Sequence, residues 1–200
     1  MNKSKSVNSD IESYSGPGSI PNSVQTNSLI TNLEKFFLNN NIKKILDAPC
    51  GDCAWVERIF KLNIQYTGID IVNELIITNK EKFKKNKNVN FYCEDLTEYD
   101  KFDNYDFILL RDFFIHLPLK TIENILINLK KSNCKYFAFN NYENININKE
   151  ISTGQHRKIN LIEKPFNLEK PFLKIQEIKN ENFPDKDIID NFLYIYKNKE

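Results

Sequence analysis

The spacing of hydrophobic positions changes along this chain and outlines a series of alternating elements. From Leu29 to Phe37 the apolar residues recur every three or four positions, which predicts a helix that Asn27 or Ser28 could cap. Short apolar runs then alternate with further helical patterns. The predicted strands are 43–48, 64–70, 89–95, 105–112 and 135–142. The predicted helices between them are 54–60, 72–83 and a helix from about Pro118 to Leu129.

Strand–helix alternation of this kind favours right-handed crossovers and a parallel sheet that is covered on both faces. The pattern changes after residue 142, because 143–167 is polar and the segments 172–179 and 191–199 are rich in β-forming residues. These last two segments are typical of an antiparallel pair. The sequence therefore predicts an α/β, Rossmann-like doubly wound sheet that closes with antiparallel strands.

Composition limits the domain organisation and the class of partner. The 200 residues, 40% of them hydrophobic, suit one domain over 14–200, and the polar residues 1–13 predict a disordered tail. A net charge of +1 provides no overall electrostatic attraction to nucleic acid or to an anionic membrane, so neither partner is expected. With no apolar membrane-spanning run, no export signal and four cysteines, we expect a cytoplasmic protein of unknown oligomeric state.

Acidic residues end the first four predicted strands. They are Asp47, Asp70, Asp95 and Asp112. In an open parallel sheet ligands bind beyond the carboxyl ends of the strands, so this row predicts a binding site rather than scattered surface charge. A carboxylate after the second strand suits the two hydroxyls of a ribose, one after the third suits the amine of a purine, and one after the first suits an ammonium group. Capping of the following helix is the alternative role for each acid.

The turn after the first strand lies in the segment ILDAPCGDCAW (45–55) and limits the kinds of ligand that the site could bind. Gly51 lets the backbone approach a ligand, whereas Pro49 removes an N–H donor. The chain lacks both the G-x-G-x-x-G fingerprint and a phosphate-binding loop, which argues against a nucleotide oxidoreductase and favours a nucleoside ligand without a pyrophosphate. Cys50 and Cys53 have the spacing of a zinc or redox pair, but no second pair completes a site, so no metal is expected.

Five motifs resemble those of class I S-adenosylmethionine-dependent methyltransferases, in particular a group of small bacterial members. The motifs are SGPGS (15–19), DAPCGD (47–52) with Trp55, GIDIV (68–72), RDFFIHL (111–117) and TGQHRKINLIEKPF (153–166). The resemblance spans about residues 14 to 197. It implies a seven-stranded sheet with an antiparallel final strand, S-adenosylmethionine as cofactor and S-adenosylhomocysteine as product.

The resemblance also implies roles for individual positions. Asp47 and Gly51 would line the methionine part, Asp70 the ribose and Asp95 the adenine, while the SGPGS turn would cover the cofactor. The full set of expected cofactor-binding residues is Ser15, Gly16, Gly18, Ser19, Asp47, Ala48, Cys50, Gly51, Asp70, Ile71, Asp95, Leu96 and Arg111. His156 stands where the group usually has tryptophan.

Methyl transfer requires alignment of the acceptor and, for an oxygen acceptor, a base. Asp112 and His116 are the expected catalytic residues, and His156 and Arg157 are expected to bind the substrate. The near-neutral charge favours a small-molecule acceptor, with sugar-like and anionic molecules as the two candidates. A non-catalytic module that binds S-adenosylmethionine or its product and regulates a partner remains the alternative.

Overall fold

The computed structural model of the chain describes residues 15–177 and 191–198. The predicted tail (1–13) lies outside the described residues. The described strands form one seven-stranded sheet in the order β3-β2-β1-β4-β5-β7-β6. The strands are β1 (Lys44–Asp47), β2 (Gln65–Asp70), β3 (Val89–Cys93), β4 (Phe107–Leu110), β5 (Tyr136–Tyr142), β6 (Leu173–Gln176) and β7 (Asn191–Lys197).

Strands β1 to β5 are parallel, and β7 runs antiparallel between β5 and β6. The chain order reverses beside β1, which pairs with β2 on one side and with β4 on the other. This reversal is the topological switch point at which open α/β sheets bind their ligands. The predicted fold class is confirmed.

Three α-helices within the described residues cover the sheet: α1 (Val24–Asn39), α2 (Asn73–Lys82) and α3 (Leu119–Lys131). Successive residues of a strand face opposite sides, so Ile45 packs with the apolar residues of α1 and α2, whereas Leu46 packs with those of α3. Two hydrophobic cores result, one on each face. No helix among the described residues is long and apolar enough to cross a membrane.

Two local predictions about the helices are wrong. The helix α1 begins earlier than its apolar stripe, because Ser23 accepts the N–H of Thr26 at 3.1 Å and caps it. The segment predicted as a helix over 54–60 forms only a short 3-10 helix, Glu57–Lys61. Asp52 accepts the N–H of Ala54 at 3.1 Å, which stabilises a turn before this segment rather than an α-helix.

Candidate active site

A cavity of about 250 Å³ lies at the carboxyl ends of β1, β2 and β4. The predicted site residues that line it are Ser15, Ser19, Asp47, Cys50, Gly51, Asp70, Arg111, Asp112 and His116. Pro49, Trp55, Val72 and Leu75 complete the lining. A larger cleft of about 740 Å³ at the amino ends of β1 and β2 contains none of the predicted residues. The sheet therefore gathers the sequence-predicted chemistry at one edge.

Asp70 connects the ends of β1 and β2 through its carboxylate. Its Oδ2 accepts the N–H of Gly51 at 3.0 Å, and its Oδ1 accepts the N–H of Val72 at 2.9 Å. The residue is buried. Because each carboxylate oxygen has two lone pairs, Asp70 retains acceptor capacity toward the cavity while it fixes the turn.

Asp47 is a buried acid at the end of β1, with 2% of its surface exposed. The hydroxyl of Tyr66 donates to its Oδ2 at 2.5 Å. Burial raises the pKa of Asp47 to about 7, although the Tyr66 hydrogen bond and the charge of Arg111 oppose this rise. A cationic group bound in the cavity would favour the ionised form, so this carboxyl group is suited to binding a cation.

The turn that follows Asp47 is held from two sides. Gly51 adopts a φ of +55°, and the side-chain amide of Asn79 donates to its carbonyl oxygen at 2.7 Å. On the other side, Ser15 Oγ accepts the N–H of Asp52 at 3.0 Å. A Cβ at position 51 would lie 2.0 Å from that Oγ, so only glycine permits this contact.

Cys50 and Cys53 are buried, free thiols within this turn. The neighbouring Cys53 side chain and burial raise the pKa of Cys50, which keeps the thiol protonated. Cys53 Sγ lies 3.5 Å from the hydroxyl of Tyr66 and so joins the network around Asp47. Among the described residues, no group of three potential ligands is placed to hold a metal ion.

Arg111, the first residue after β4, uses all three guanidinium nitrogens in contacts within the protein. It donates from Nε to Glu177 Oε1 at 3.0 Å and from Nη2 to Glu177 Oε2 at 2.7 Å. Nη2 also donates to the carbonyl of Gly18 at 2.9 Å, and Nη1 donates to Ser19 Oγ at 3.2 Å. Nη1 additionally lies 3.1 Å from Asp112 Oδ2. Its Cζ is 4.9 Å from the centre of the Trp55 ring.

Asp112 lies just beyond β4, which ends at Leu110 rather than at the predicted residue 112. Its φ of +54° turns the side chain toward the cavity, and its backbone N–H donates to Asn140 Oδ1 at 2.8 Å. Burial raises the pKa of Asp112, and the Arg111 charge only partly offsets this effect. A carboxyl group with a raised pKa in a cavity is suited to accept a proton.

His116 and His156 flank this carboxyl group. His116 lines the cavity, and its Nδ1 is 3.0 Å from the carbonyl oxygen of Gln155. The two imidazole ring centres are 5.5 Å apart. His156 is exposed as a whole, but partial desolvation of its ring lowers its pKa, and the nearby His116 lowers it further. The structure thus brings His156 to the rim of the site, although the residue does not line the cavity.

Several other predicted residues also lie outside the cavity lining. Arg157 is buried and donates to the carbonyls of Phe114 at 3.1 Å and Leu117 at 2.8 Å, so its guanidinium stabilises the turn that carries His116. Asp95 is exposed, and its Oδ1 accepts the N–H of Thr97 at 2.9 Å. The remaining residues outside the lining are Gly16, Gly18, the buried Ala48 and Leu96, and Ile71, which is 65% exposed.

The sequence pattern did not indicate several polar residues that build this site, among them three that lie in or next to strands. Glu177, Asn140 and Tyr66 are buried and bond to Arg111, Asp112 and Asp47 respectively. All three lie in β-rich segments, where polar residues usually face solvent. The sequence alone therefore does not show that these three side chains point into the protein. The one sequence feature that could have indicated a buried partner is the acid Glu177 within the β-rich segment 172–179.

Part of this chain matches a known protein family. Residues 45–132, which run from within β1 to just past α3, match a family model described as a methyltransferase domain. Among curated protein sequences, none matches the chain significantly. The family match confirms the predicted enzyme class, an S-adenosylmethionine-dependent methyltransferase.

Many solved structures share this fold, and three of them illustrate the similarity. The PH0226 protein from Pyrococcus horikoshii OT3 is 17% identical, with a TM-score of 0.62 over 93% of this chain and 98% of that chain. The N-methyltransferase NodS from Bradyrhizobium japonicum WM9, in complex with S-adenosyl-L-homocysteine, is 13% identical, with a TM-score of 0.62 over 90% of each chain. The methyltransferase domain of bacterial CtHen1-CN is 16% identical, with a TM-score of 0.61 over 86% of this chain and 99% of that chain. At these identities the similarity shows the fold alone.

Proposed function

We propose that this protein transfers the methyl group of S-adenosylmethionine to a small-molecule acceptor in the cavity at the carboxyl ends of β1, β2 and β4. The observation that carries the proposal is the convergence of Asp47, Gly51 and Asp70 on one cavity within a methyltransferase domain. Bound S-adenosylmethionine supplies a methyl group that is already activated by its sulfonium. The protein therefore has to bind, align and exclude water rather than activate a leaving group.

The residues present fit this cofactor. Asp47 is a buried carboxyl group whose charge an ammonium group would stabilise, and Asp70 has lone pairs left for the hydroxyls of a ribose. The exposed side chain of Ile71 offers an apolar surface next to Asp70, suited to a purine face. Asp95, after the neighbouring strand β3, is the proposed partner of the purine amine.

Asp112 and His116 are the proposed catalytic pair. Both line the cavity, and Asp112 is positioned to accept a proton from an acceptor hydroxyl or amine. His116 is positioned by its contact with the carbonyl oxygen of Gln155 and stands beside the same space. His156, at the rim, is proposed to contact the acceptor.

Between the two acceptor classes, the charges favour a sugar-like acceptor over an anionic one. Asp70 and Asp112 both face the cavity, whereas the single charge of Arg111 is shared between Glu177 and Asp112. Arg157 contacts backbone carbonyls instead of the cavity. An anionic acceptor would meet carboxylates without a free cation among these residues, and like charges at such distances repel.

Calorimetry with S-adenosylmethionine, S-adenosylhomocysteine and NAD tests the proposed cofactor. We expect binding of the first two and none of NAD. Asp70→Ala should weaken S-adenosylhomocysteine binding by about 1–3 kcal/mol, because hydroxyls and the two backbone donors lose their acceptor. Asp106→Ala is a matched control: its Oδ2 also accepts two backbone N–H groups, from Lys43 and Lys44, but at the opposite edge of the sheet. Equal losses in both variants would contradict an Asp70 site.

Asp112→Asn tests the proposed base while it preserves side-chain size. We expect S-adenosylhomocysteine affinity to stay within about threefold and turnover to fall by about 10²–10⁴-fold, the usual contribution of general base catalysis. Turnover is measured as methyl label transferred from S-adenosylmethionine to small molecules of a metabolite extract. Label transfer at the wild-type rate would exclude Asp112 as the base.

A further inference from the structure

We propose that Glu177 is a positioning residue of the cofactor site, acting through Arg111 on the N-terminal turn (residues 15–19). The inference rests on the proposed function. It assigns Arg111 to a role different from direct contact with the cofactor. Arg111 and Glu177 together form a buried clasp that holds one wall of the cavity in place.

The clasp begins with Glu177, which is buried and whose two carboxylate oxygens both accept hydrogen bonds. Its side chain is 0% exposed, and it follows directly after β6. Besides the two bonds from Arg111, Gln25 of α1 donates to its Oε2 at 2.8 Å and Asn140 of β5 donates to its Oε1 at 2.8 Å. Burial alone would raise the pKa of Glu177, but Arg111 and these amides outweigh it and hold the pKa below its ordinary value. The carboxylate therefore remains ionised inside the protein.

The second step is the direction of the arginine. The two bonds to Glu177 fix the guanidinium plane in a bidentate arrangement, which sets the positions of Nη1 and Nη2. From those positions the group reaches the carbonyl of Gly18 and the hydroxyl of Ser19. Trp55 packs against the same guanidinium. Because every nitrogen already has a protein partner, Arg111 is better suited to hold the wall than to bind a ligand.

The third step links the clasp to the cavity. Ser15 and Ser19 line the cavity, and both belong to the turn that Arg111 holds. A Cβ at Gly18 would lie 3.4 Å from Arg111 Nη2, so the turn rests in contact with the clasp. If Arg111 loses its bidentate partner, it can swing toward Asp112, and the turn then loses two of its hydrogen bonds.

Glu177→Gln tests the clasp because glutamine preserves the shape of the side chain. Its amide NH2 group replaces one of the two oxygens that accept hydrogen bonds from Arg111, and the negative charge is lost. We expect the Kd for S-adenosylhomocysteine to rise about tenfold or more, consistent with the loss of hydrogen bonds to a charged group. The Kd for S-adenosylmethionine should rise by a similar factor. S-adenosylhomocysteine lacks the sulfonium charge, so equal factors indicate positioning, whereas a loss confined to S-adenosylmethionine would indicate simple charge attraction and overturn the proposal.

Coupling to the turn separates positioning from a general structural role. Ser19→Ala should raise the Kd about threefold in the wild-type background and have no further effect in Glu177→Gln, because the turn is already released. If the effects of Ser19→Ala and Glu177→Gln on the Kd were additive, the two residues would not act through the same turn, and the proposal would be contradicted. Glu143→Gln is the matched control: Glu143 accepts from Lys174 Nζ at 2.8 Å just beyond the end of β5, but it does not line the cavity. It should leave both Kd values within twofold.

Hydrogen exchange gives a readout that does not require any ligand. In Glu177→Gln the amide of Ser19, bonded to the carbonyl of Gly16 at 3.0 Å, should exchange at least about tenfold faster, while amides of β1 and β4 stay protected. Arg111→Lys should reproduce this effect if Glu177→Gln does not fold, since one ammonium cannot span both Glu177 and the turn. Unchanged exchange with unchanged Kd would overturn the clasp. Failure of the wild-type protein to bind S-adenosylhomocysteine would overturn the proposed function and with it the cofactor role of Glu177, whereas hydrogen exchange would still test whether Glu177 holds the turn through Arg111.

Discussion

Gly51→Ala is expected to reduce the affinity for S-adenosylhomocysteine by about 100-fold or more, the combined effect of backbone strain and a displaced cavity wall. At a φ of +55° an alanine is strained by roughly 1–2 kcal/mol. Its methyl group would also lie 2.0 Å from Ser15 Oγ, so Ser15 must move. Movement of Ser15 removes its bond to the N–H of Asp52 and shifts the turn that lines the cavity. Calorimetric titration with S-adenosylhomocysteine measures the loss.

Gly154→Ala is the control for strain alone. Gly154 also has a positive φ, of +86°, but a Cβ there meets no atom within 4 Å. We expect this variant to lose a comparable amount of stability from backbone strain and to keep its affinity for S-adenosylhomocysteine within about threefold. If both variants lose affinity equally, the contact between Gly51 and Ser15 is not part of the cofactor site.

Asp47→Asn is expected to make the protein more stable at pH 8 while it weakens cofactor binding. The pKa of Asp47 is raised to about 7 in the folded state, whereas an aspartate in an unfolded chain titrates near about 3.9. Between these values the folded state holds a proton that the unfolded state has released. Stability from this group is therefore largest at low pH and falls as the pH rises from about 4 to 7. The asparagine variant avoids this loss, so its advantage should be on the order of 4 kcal/mol at pH 8 and should vanish near pH 4.

Urea denaturation of wild type and Asp47→Asn at pH 5 and at pH 8 measures this difference. Asp106→Asn is a control of opposite sign, because the hydrogen bond from Lys135 and those from the backbone of Lys43 and Lys44 outweigh burial and lower the pKa of Asp106. That variant should be less stable than wild type at pH 8, with a difference that disappears as the pH falls through the lowered pKa. A constant difference between wild type and Asp47→Asn across the pH range would contradict the raised pKa.

The same acid connects stability to binding. If an ammonium group pairs with Asp47, binding of S-adenosylhomocysteine at pH 6 should release close to one proton, which is visible as a dependence of the heat on buffer ionisation. Asp47→Asn should abolish this proton release and weaken binding about tenfold or more, since a charge-assisted partner is lost. The buried acid thus lowers the stability of the empty protein and favours the bound state.

The periodic pattern predicted most of the fold, because strands β1 to β5 are short apolar runs that alternate with amphipathic helices. It misplaced the start of α1, where Ser23 caps a polar first turn, and the 54–60 segment, where the side chain of Asp52 stabilises a turn. Both errors occur where a local side-chain bond decides the boundary. Hydrophobic spacing does not contain that information.

The sequence by itself determined the sheet and the edge at which the site lies. Acids that end successive parallel strands must lie at one edge, so the pattern groups Asp47, Asp70, Asp95 and Asp112. Three of them line the cavity, whereas Asp95 is exposed and lies outside its lining. The tertiary structure alone decided the partners of those residues. Glu177 is 66 positions from Arg111, and Tyr66 is 19 positions from Asp47, so no local pattern indicates that they bond. The tertiary structure also decided the partners of Arg157, which was predicted to bind the substrate. Its buried guanidinium donates instead to the backbone carbonyls of Phe114 and Leu117, because packing brings these hydrogen-bond acceptors within reach.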